Sequence, residues 1–274
     1  PDGYDYPSDF GGTSSAAPLV AGIMALGVEA NPNMDVRMAK HLMVRTNRIV
    51  DASDSSSTGR WIENAAGNFF NNNYGFGLID AGAFTEEATR YSGVTEQTTI
   101  ESGDLAVNQS FAVEGFTLRE QFEVTVEPGE GQPLEHVLVN LRISGLETDW
   151  ATYDSGVGTI LGDFSGSLTS PTGTTNELFF DDRDIPEDKW ETNRDYHEDV
   201  LNWQFLSNAY WGEFVEGIWT LEISNHTDNP LTGVWETFSF TGAMGELVAV
   251  PEPRAFGLIL VVGLVPVLSR RRRT

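Results

Sequence analysis

The spacing of apolar residues changes along this chain of 274 residues, and each change indicates a different kind of structure. Residues 14–28 are almost uninterruptedly apolar and rich in alanine and glycine, which predicts a helix buried among close neighbours. A second helix is predicted over residues 35–46, with Asp35 as its N-cap. From Glu135 the period becomes two, which is typical of a half-buried strand. The alternating apolar positions are Val137, Val139, Leu141 and Ile143.

Further short segments with the strand pattern follow in the second half of the chain. They are separated by glycine, proline and asparagine, which favour turns. Many short strands with such punctuation predict a β-sandwich or jelly roll. The segments cover residues 166–174, 176–180, 218–223 and 235–240.

The C-terminal end has an uncharged apolar segment, residues 255–269, followed by Arg270–Arg273. A helix of this length rises about 22 Å. The hydrocarbon core of a bilayer is about 30 Å thick, so spanning it requires flanking residues or local thinning. The pattern predicts a single apolar helix that reaches the membrane, with the arginines on the cytoplasmic side. A weak tail anchor and a buried strand are the alternatives.

Charge is distributed unevenly along the chain. The whole sequence has 16 basic and 41 acidic residues, whereas residues 1–250 have 11 basic and 40 acidic residues and a net charge of −29. Such a surface repels nucleic acid and anionic membranes. It favours cationic substrates or calcium, for which the acidic stretch at residues 181–188 is a candidate, although no cofactor is certain. Cysteine is absent, so disulfides do not contribute to stability.

A candidate nucleophile lies at the start of the first predicted helix, in the turn Gly12-Thr13-Ser14. Glycine allows close approach, and a serine at the positive end of a helix has its own backbone N–H available to hold an oxyanion. Pro18 is expected in the first turn, where proline is tolerated. The alternative is a buried helix with a serine N-cap. We expect Ser14 to be catalytic and Gly12, Thr13 and Ser14 to form the nucleophile and oxyanion turn.

Residues 11–91 resemble the end of the catalytic domain of the subtilisin-like serine proteases, in particular its kexin- and furin-like branch. The similarity rests on the turn Gly12–Pro18, the two helices and the segment Asn73–Ala83, which carries the pattern Tyr-Gly-x-Gly-x-x-Asp-Ala. The resemblance implies an α/β fold. It also implies a serine endopeptidase that acts on protein or peptide substrates.

In that family the aspartate, the histidine base and the oxyanion asparagine all precede the serine. Only 13 residues precede Ser14 here, and none of them is histidine. His41 is expected to be a packing residue, and the remaining histidines lie in the later β-rich part of the chain. We therefore expect this chain to be the C-terminal part of a longer protease and to be inactive alone. The four histidines are His41, His136, His197 and His226.

The β-rich part resembles the P domain, or Homo B domain, that follows kexin-like catalytic domains. The resemblance implies that this domain packs on the catalytic domain and supports its folding. An alternative is an adhesion or carbohydrate-binding module, with Trp203, Trp211, Trp219 and Trp235 lining a glycan-binding face. The matching segments are Leu134–Val137, Leu168–Thr174, Trp203–Phe205, Trp211–Glu213, Gly217–Leu221 and Gly233–Trp235.

The C-terminal residues resemble the PEP-CTERM sorting signal of Gram-negative bacteria. That signal combines a motif such as Pro251-Glu252-Pro253 with a short apolar helix and terminal arginines. The resemblance implies recognition by an exosortase-type enzyme, cleavage near the motif, and delivery to the cell envelope or the exterior. The tail would then lie only transiently in the inner membrane.

These similarities predict an α/β subtilase catalytic-domain fragment, then an all-β P domain, then a single apolar helix. The expected function is that of a bacterial serine-type endopeptidase. The alternative is an envelope-binding or adhesion module that carries a non-catalytic protease remnant. The predicted boundaries are residues 1–91 for the end of the catalytic domain, 92–132 for a linker and the start of the P domain, 133–246 for the P domain and 247–274 for the sorting signal.

Overall fold

Three helices and twelve strands form the described part of the chain, which the computed structural model gives as residues 11–54, 59–113, 115–148, 164–179, 200–225 and 231–251. The helices are α1 (Thr13–Ala30), α2 (Val36–Thr46) and α3 (Ala81–Ala88). The strands are β1 (Ile62–Glu63), β2 (Phe69–Phe70), β3 (Tyr91–Val94), β4 (Thr98–Val113), β5 (Thr117–Val124), β6 (Leu134–Thr148), β7 (Phe164–Thr169), β8 (Thr175–Phe179), β9 (Val200–Ser207), β10 (Gly217–Asn225), β11 (Leu231–Met244) and β12 (Leu247–Ala249). The three helices and the short strands β1, β2 and β3 precede the long strands in the chain, and we call residues 11–94 the helical segment.

Aspartate side chains fix the start of two helices. Oδ1 of Asp35 accepts a hydrogen bond from the backbone N–H of Met38 at 2.7 Å, which confirms the predicted capped helix. Oδ1 of Asp80 accepts from the N–H of Ala83 at 3.0 Å at the start of α3. Each cap satisfies an N–H group that the first turn of a helix leaves unpaired.

The helices enclose a small core, to which α1 contributes little. Only Gly27 among the 18 residues of α1 is buried, and Leu19 is 71% exposed. The prediction of a buried helix is therefore wrong for the described structure, because α1 packs along one side only, mainly against α3. The buried residues of this helical core are Met38, Ala39, Leu42, Phe84 and Ala88.

Two four-stranded antiparallel sheets form a β-sandwich, as the alternating pattern predicts. One sheet has the strand order β5-β10-β7-β8 and the other has β4-β11-β6-β9. The predicted inward face of β6 is confirmed, because its alternate apolar residues are all 0 or 1% exposed. The largest side chains in the core between the sheets are Trp219, Trp235, Tyr210 and Phe240.

The sandwich begins well before residue 133. Strand β4 pairs with β11 from Thr98 opposite Met244 to Val113 opposite Leu231, and β5 pairs with β10. Most of the segment interpreted from sequence as a linker and domain start therefore lies within the two sheets. Polar residues on the inner sides of β4 and β5, namely Ser102, Gln109 and Glu120, and two register shifts of β4 against β11 explain why the apolar alternation is weak there.

After the sandwich the chain returns to the helices. Strand β12 pairs antiparallel with β3, with Leu247 opposite Val94, and both side chains pack against the helical core. Residues 247–249, assigned from sequence to the sorting signal, are thus part of the folded structure. The predicted apolar helix at residues 255–269 lies outside the described residues.

A buried carboxylate joins the helices to the sandwich. Glu135, at the start of β6, has a side chain only 3% exposed, and Arg37 of α2 approaches both of its oxygens, at 2.5 and 3.1 Å. Nε2 of His41 lies 2.8 Å from Oε1, and Gln97 donates to Oε2 at 2.6 Å. The remaining Arg37 nitrogen donates to the carbonyl of Thr95 at 2.8 Å. We call this group of residues the Glu135 junction.

The protein environment stabilises the charged form of Glu135. Burial alone would raise the pKa of its carboxyl, because a charge is poorly solvated away from water. Hydrogen bonds from His41, Arg37 and Gln97 outweigh this effect and lower the pKa from 4.5 to about 2. The carboxylate therefore stays ionised well into the acidic range.

A second buried glutamate, Glu213, joins the loop between β1 and β2 to the sandwich. Its carboxylate accepts hydrogen bonds from Thr174 and, at 2.6 Å, from Thr172, both in the sandwich. It also accepts from the backbone N–H of Ala65 at 3.0 Å, in the loop that links β1 and β2. The backbones of Leu134 and Glu213 are themselves joined, since the N–H of Leu134 donates to the Glu213 carbonyl at 2.7 Å.

We expect Glu135→Gln to lower the free energy of unfolding at neutral pH by about 3 kcal/mol, because Arg37 is left partly buried without its charge partner. The folded-state pKa of about 2 lies below the ordinary 4.5, so the stabilisation is present above pH 4.5 and is lost as the pH falls towards 2. Urea unfolding, followed by tryptophan fluorescence at a series of pH values in this range, measures the free energy of unfolding. This free energy should fall more steeply with decreasing pH for the wild type than for the variant.

Glu236→Gln serves as a control, since it removes a carboxylate that pairs with Arg142 on the surface of the sandwich. Its effect should be much smaller. Equal effects of the two substitutions, or parallel pH profiles for wild type and Glu135→Gln, would contradict the role given to Glu135.

Candidate functional site

The predicted nucleophile turn lies at the N-terminus of α1. Gly12 precedes the helix with φ of 81°, in the region that favours glycine, and its carbonyl accepts from the N–H groups of Ser15 and Ala16 at 3.1 and 3.2 Å. Thr13 and Ser14 are the first two helical residues. Their backbone N–H groups have no partner within the helix, because the first turn lacks preceding carbonyls.

Two adjacent serines in this turn have different surroundings. The hydroxyl of Ser15 donates to the carbonyl of Gly11 at 2.8 Å. Within the described part of the chain, the exposed hydroxyl of Ser14 has no hydrogen-bond partner, and Gly12 rather than a serine is the N-cap. The alternative interpretation of Ser14 as a capping residue is therefore wrong, and its catalytic role stays a prediction.

Pro18 lies one turn further into α1 than the sequence suggested. The helix begins at Thr13, so Pro18 is its sixth residue. Proline has no N–H, so the helical hydrogen bond that would reach the carbonyl of Ser14 is missing. The carbonyl of Ser14 therefore lacks the helical hydrogen bond that the second residue of an α-helix normally accepts.

Close packing at the C-terminal end positions α1. A Cβ atom at Gly27 would lie 2.5 Å from Cε1 of Phe84 and 2.7 Å from Cε of Met34. Glycine therefore lets α1 approach α3 and the turn that precedes α2.

Among the described residues, α1 is also the one helix long and apolar enough to cross a membrane, with a mean hydropathy of 1.3. By itself this is weak evidence for a span.

The segment with the pattern Tyr-Gly-x-Gly-x-x-Asp ends at Asp80, the N-cap of α3. Gly77 has φ of 101°, and a side chain there would collide with the carbonyl of Arg48. The backbones of Arg48 and Leu78 exchange hydrogen bonds of 2.8 and 2.9 Å. Asp80 caps α3 and pairs with Arg48, and the hydrogen bond from Ala83 is the largest cause of its lowered pKa. Gly77 and Asp80 of the motif are therefore both required by local backbone contacts: Gly77 by the close approach of Arg48 and Asp80 by the start of α3.

Of the two described histidines, His41 belongs to the Glu135 junction and His136 follows Glu135 in β6. His41 contacts Glu135 and makes a T-shaped contact with the Trp211 ring, with ring centroids 4.8 Å apart, in agreement with the expected packing role. His136 is partly buried, and this burial lowers its pKa. His197 and His226 lie outside the described residues, as do Glu252 and Pro253 of the predicted sorting motif, whereas Pro251 is exposed at the end of the described chain.

The tryptophans do not form one exposed face. Trp219 and Trp235 are fully buried, and Trp211 is 6% exposed. Trp203 alone among these four is open to solvent, at 60%. A glycan-binding face built from all four is therefore excluded, and three of them pack in the core or at the junction.

The part of the chain that the structure describes contains no group of three or more histidine and carboxylate side chains able to hold a metal ion. The acidic stretch at residues 181–188 lies outside that part, so the calcium site stays a prediction.

The residues that sequence reasoning missed are Arg37 and Glu135. Their separation of 98 positions gives no local signal, although Glu135 lies within a segment that carries the P-domain resemblance.

Replacing Gly27 with alanine should force α1 away from α3, because the added Cβ would overlap with Phe84 and Met34. We expect a loss of about 1–3 kcal/mol in the free energy of unfolding. Gly22→Ala in the same helix is the matched control. A Cβ there meets no atom within 4 Å, and alanine should stabilise the helix by about 0.5–1 kcal/mol. Thermal unfolding distinguishes the two; a neutral Gly27→Ala would contradict the packing argument.

Comparison with known proteins identifies both parts of the chain. The profile of the Subtilase family matches residues 4–77, and that of the proprotein convertase P-domain matches residues 157–241. Neuroendocrine convertase 2 of Drosophila melanogaster is 31% identical over 215 residues, which cover 77% of this chain and 29% of that protein. Endoprotease bli-4 of Caenorhabditis elegans is 34% identical over 226 residues, covering 80% of this chain and 21% of that protein.

A solved structure shows the same fold. The crystal structure of the serine protease of Aeromonas sobria superposes with a TM-score of 0.65 over 85% of this chain and 44% of that chain, at 23% identity. This chain spans less than a third of the length of each of the two convertase relatives described above. It carries a segment of the subtilase family followed by a proprotein convertase P-domain, and it is related to the kexin- and furin-like serine proteases.

Proposed function

We propose that this chain is the nucleophile-bearing part of a serine endopeptidase in which Ser14 forms the acyl-enzyme. The observation that carries the proposal is the position of the Ser14 hydroxyl, exposed in the first turn of α1 within the segment that matches the subtilases. The hydroxyl of the neighbouring Ser15 donates to the carbonyl of Gly11, which favours Ser14 over Ser15 for this role.

In the proposed reaction, Oγ of Ser14 attacks the carbonyl carbon of a peptide bond. The carbonyl oxygen becomes negatively charged and is held by the backbone N–H of Ser14 and by the positive end of the helix. A general base takes the Oγ proton during the attack and gives it to the amine nitrogen as the C–N bond breaks. This leaves the acyl-enzyme, which water then hydrolyses. Because His41 is engaged with Glu135, we propose that the base, its aspartate and the second oxyanion donor come from residues outside this chain.

The test uses the gene product that contains this chain, treated with a serine-directed fluorophosphonate and mapped by mass spectrometry. Ser14 should carry the label, and Ser14→Ala should abolish it. Ser15→Ala should label normally, because it removes only the contact with Gly11. The chain of residues 1–274 by itself should remain unlabelled, since loss of the triad lowers turnover about a millionfold. Labelling of this chain alone would refute the assignment of the base to outside residues, and labelling that survives Ser14→Ala would refute the nucleophile.

We further propose that the C-terminal residues direct the protein to the bacterial envelope through a PEP-CTERM-type signal. The support is the order of Pro251-Glu252-Pro253, the apolar residues 255–269 and Arg270–Arg273. Pro251 directly follows the strand pairing of β12, and its exposure suits access by a sorting enzyme.

Replacing Pro251-Glu252-Pro253 with three alanines should leave a full-length form in the membrane fraction, detected by an internal epitope tag. The control is the double variant Glu127→Ala with Glu130→Ala, because both glutamates are exposed in the turn between β5 and β6. That control should be processed like the wild type. Unchanged processing of the triple-alanine variant would remove the sorting proposal and leave the protease proposal intact.

A further inference from the structure

A cavity of about 400 Å³ opens between the two sheets at one edge of the sandwich. Its walls are β4 and β5, each of which is the end strand of its sheet. Leu105, Phe122 and Phe238 give it an apolar floor. The volume lies in the range of sites that bind small molecules or peptide side chains. We call it the edge groove, and its lining residues are Ser102, Leu105, Ala106, Glu120, Gln121, Phe122, Glu123 and Phe238.

Two irregularities in β4 bracket the edge groove. Gly103 has φ of 65° and Asn108 has φ of 54°, and the pairing of β4 with β11 shifts by one residue near each of them. Such bulges bend a strand and redirect its side chains. At the first bulge, Oγ of Ser102 accepts from the N–H of Phe240 at 2.9 Å, which fixes the distorted backbone. Asparagine is among the few residues besides glycine that adopt a positive φ readily, so Asn108 suits the second bulge.

The rim of the edge groove is acidic. Glu120 and Glu123 line it from β5, and Glu120 is partly buried and accepts a hydrogen bond from the neutral amide of Gln109. The cation next to them on β5, Arg119, pairs with Glu222 at 2.5 Å and does not neutralise the rim. Carboxylates beside an apolar cleft raise the local concentration of cations.

We propose that the edge groove binds an extended basic peptide segment, which places one large apolar side chain on the floor and a lysine or arginine beside Glu123, on the opposite face of β5 from Phe122. Among the described residues, β4 and β5 have no pairing partner on their outer sides, so their backbone groups there are available to an extended chain. A second copy of this protein is disfavoured as the occupant, because its net charge of −25 would be repelled. The inference does not depend on the activity of Ser14.

The test measures binding of a fluorescein-labelled peptide of alternating arginine and leucine to the full chain by fluorescence anisotropy. The peptide should bind, and binding should weaken as salt is added, because the attraction involves exposed charges. A peptide with glutamate in place of arginine should not bind. A peptide with serine in place of leucine should bind at least fivefold more weakly, a conservative estimate of roughly 1 kcal/mol per apolar side chain.

Two pairs of variants locate the binding. Glu120→Gln with Glu123→Gln should weaken binding about five- to tenfold. Glu29→Gln with Glu63→Gln makes the same change in net charge at exposed positions in the helical segment and should leave binding unchanged. Leu105→Ala should weaken binding about three- to tenfold. Leu118→Ala shortens another partly buried leucine of the same sandwich, outside the groove, and should leave it unchanged.

Equal weakening by both charge pairs would show nonspecific attraction to an acidic protein and would overturn the proposal. Equal weakening by Leu105→Ala and Leu118→Ala would show that reduced stability of the sandwich causes the loss of binding, and this result would also overturn the proposal. The absence of detectable binding by the arginine and leucine peptide would have the same consequence. Thermal unfolding of all four variants accompanies the binding curves.

Discussion

A buried charge has to be matched by donors, and in this protein the donors for Glu135 come from a different part of the chain. Removing a carboxylate from water is expensive unless hydrogen bonds and an opposite charge replace the solvent. Arg37 and His41 meet that requirement only when α2 lies against the start of β6. The relative position of helices and sandwich is therefore specified by a polar contact with strict geometry, and apolar packing alone would tolerate sliding.

The second buried glutamate extends the same principle. Glu213 has hydroxyl and N–H donors in place of a cation, so it demands a particular loop conformation at Ala65. Because the backbones of Leu134 and Glu213 are bonded to each other, the two carboxylates start from neighbouring points in the sandwich. They hold widely separated points of the helical segment. A displacement of either carboxylate therefore reaches the other through the backbone hydrogen bond between Leu134 and Glu213.

Sequence predicted those features that depend on local pattern. The alternation in β6 and the cap at Asp35 are set by neighbours within a few residues, and both were found as expected. The burial of α1 depends on which other segments cover it, and an apolar composition cannot specify that. Arg37 and Glu135 become partners only after folding, so their pairing is not visible in the sequence. At the candidate site the motif located Ser14 at a helix start, whereas the other members of a triad are defined by spatial proximity.

The ribbon of β3 and β12 has a mechanical consequence. The sandwich leaves the helical segment at Thr95 and returns at Glu246, and these two residues are joined by hydrogen bonds of 2.9 and 3.0 Å. Tension between the helices and the chain beyond Pro251 thus loads this ribbon first and bypasses the sandwich. Because β12 is antiparallel to β3, with Ala249 opposite Tyr91, the load acts on one end of the ribbon and opens its pairs one after another. The three residue pairs of the ribbon therefore separate before any force reaches the sandwich, from β4 to β11.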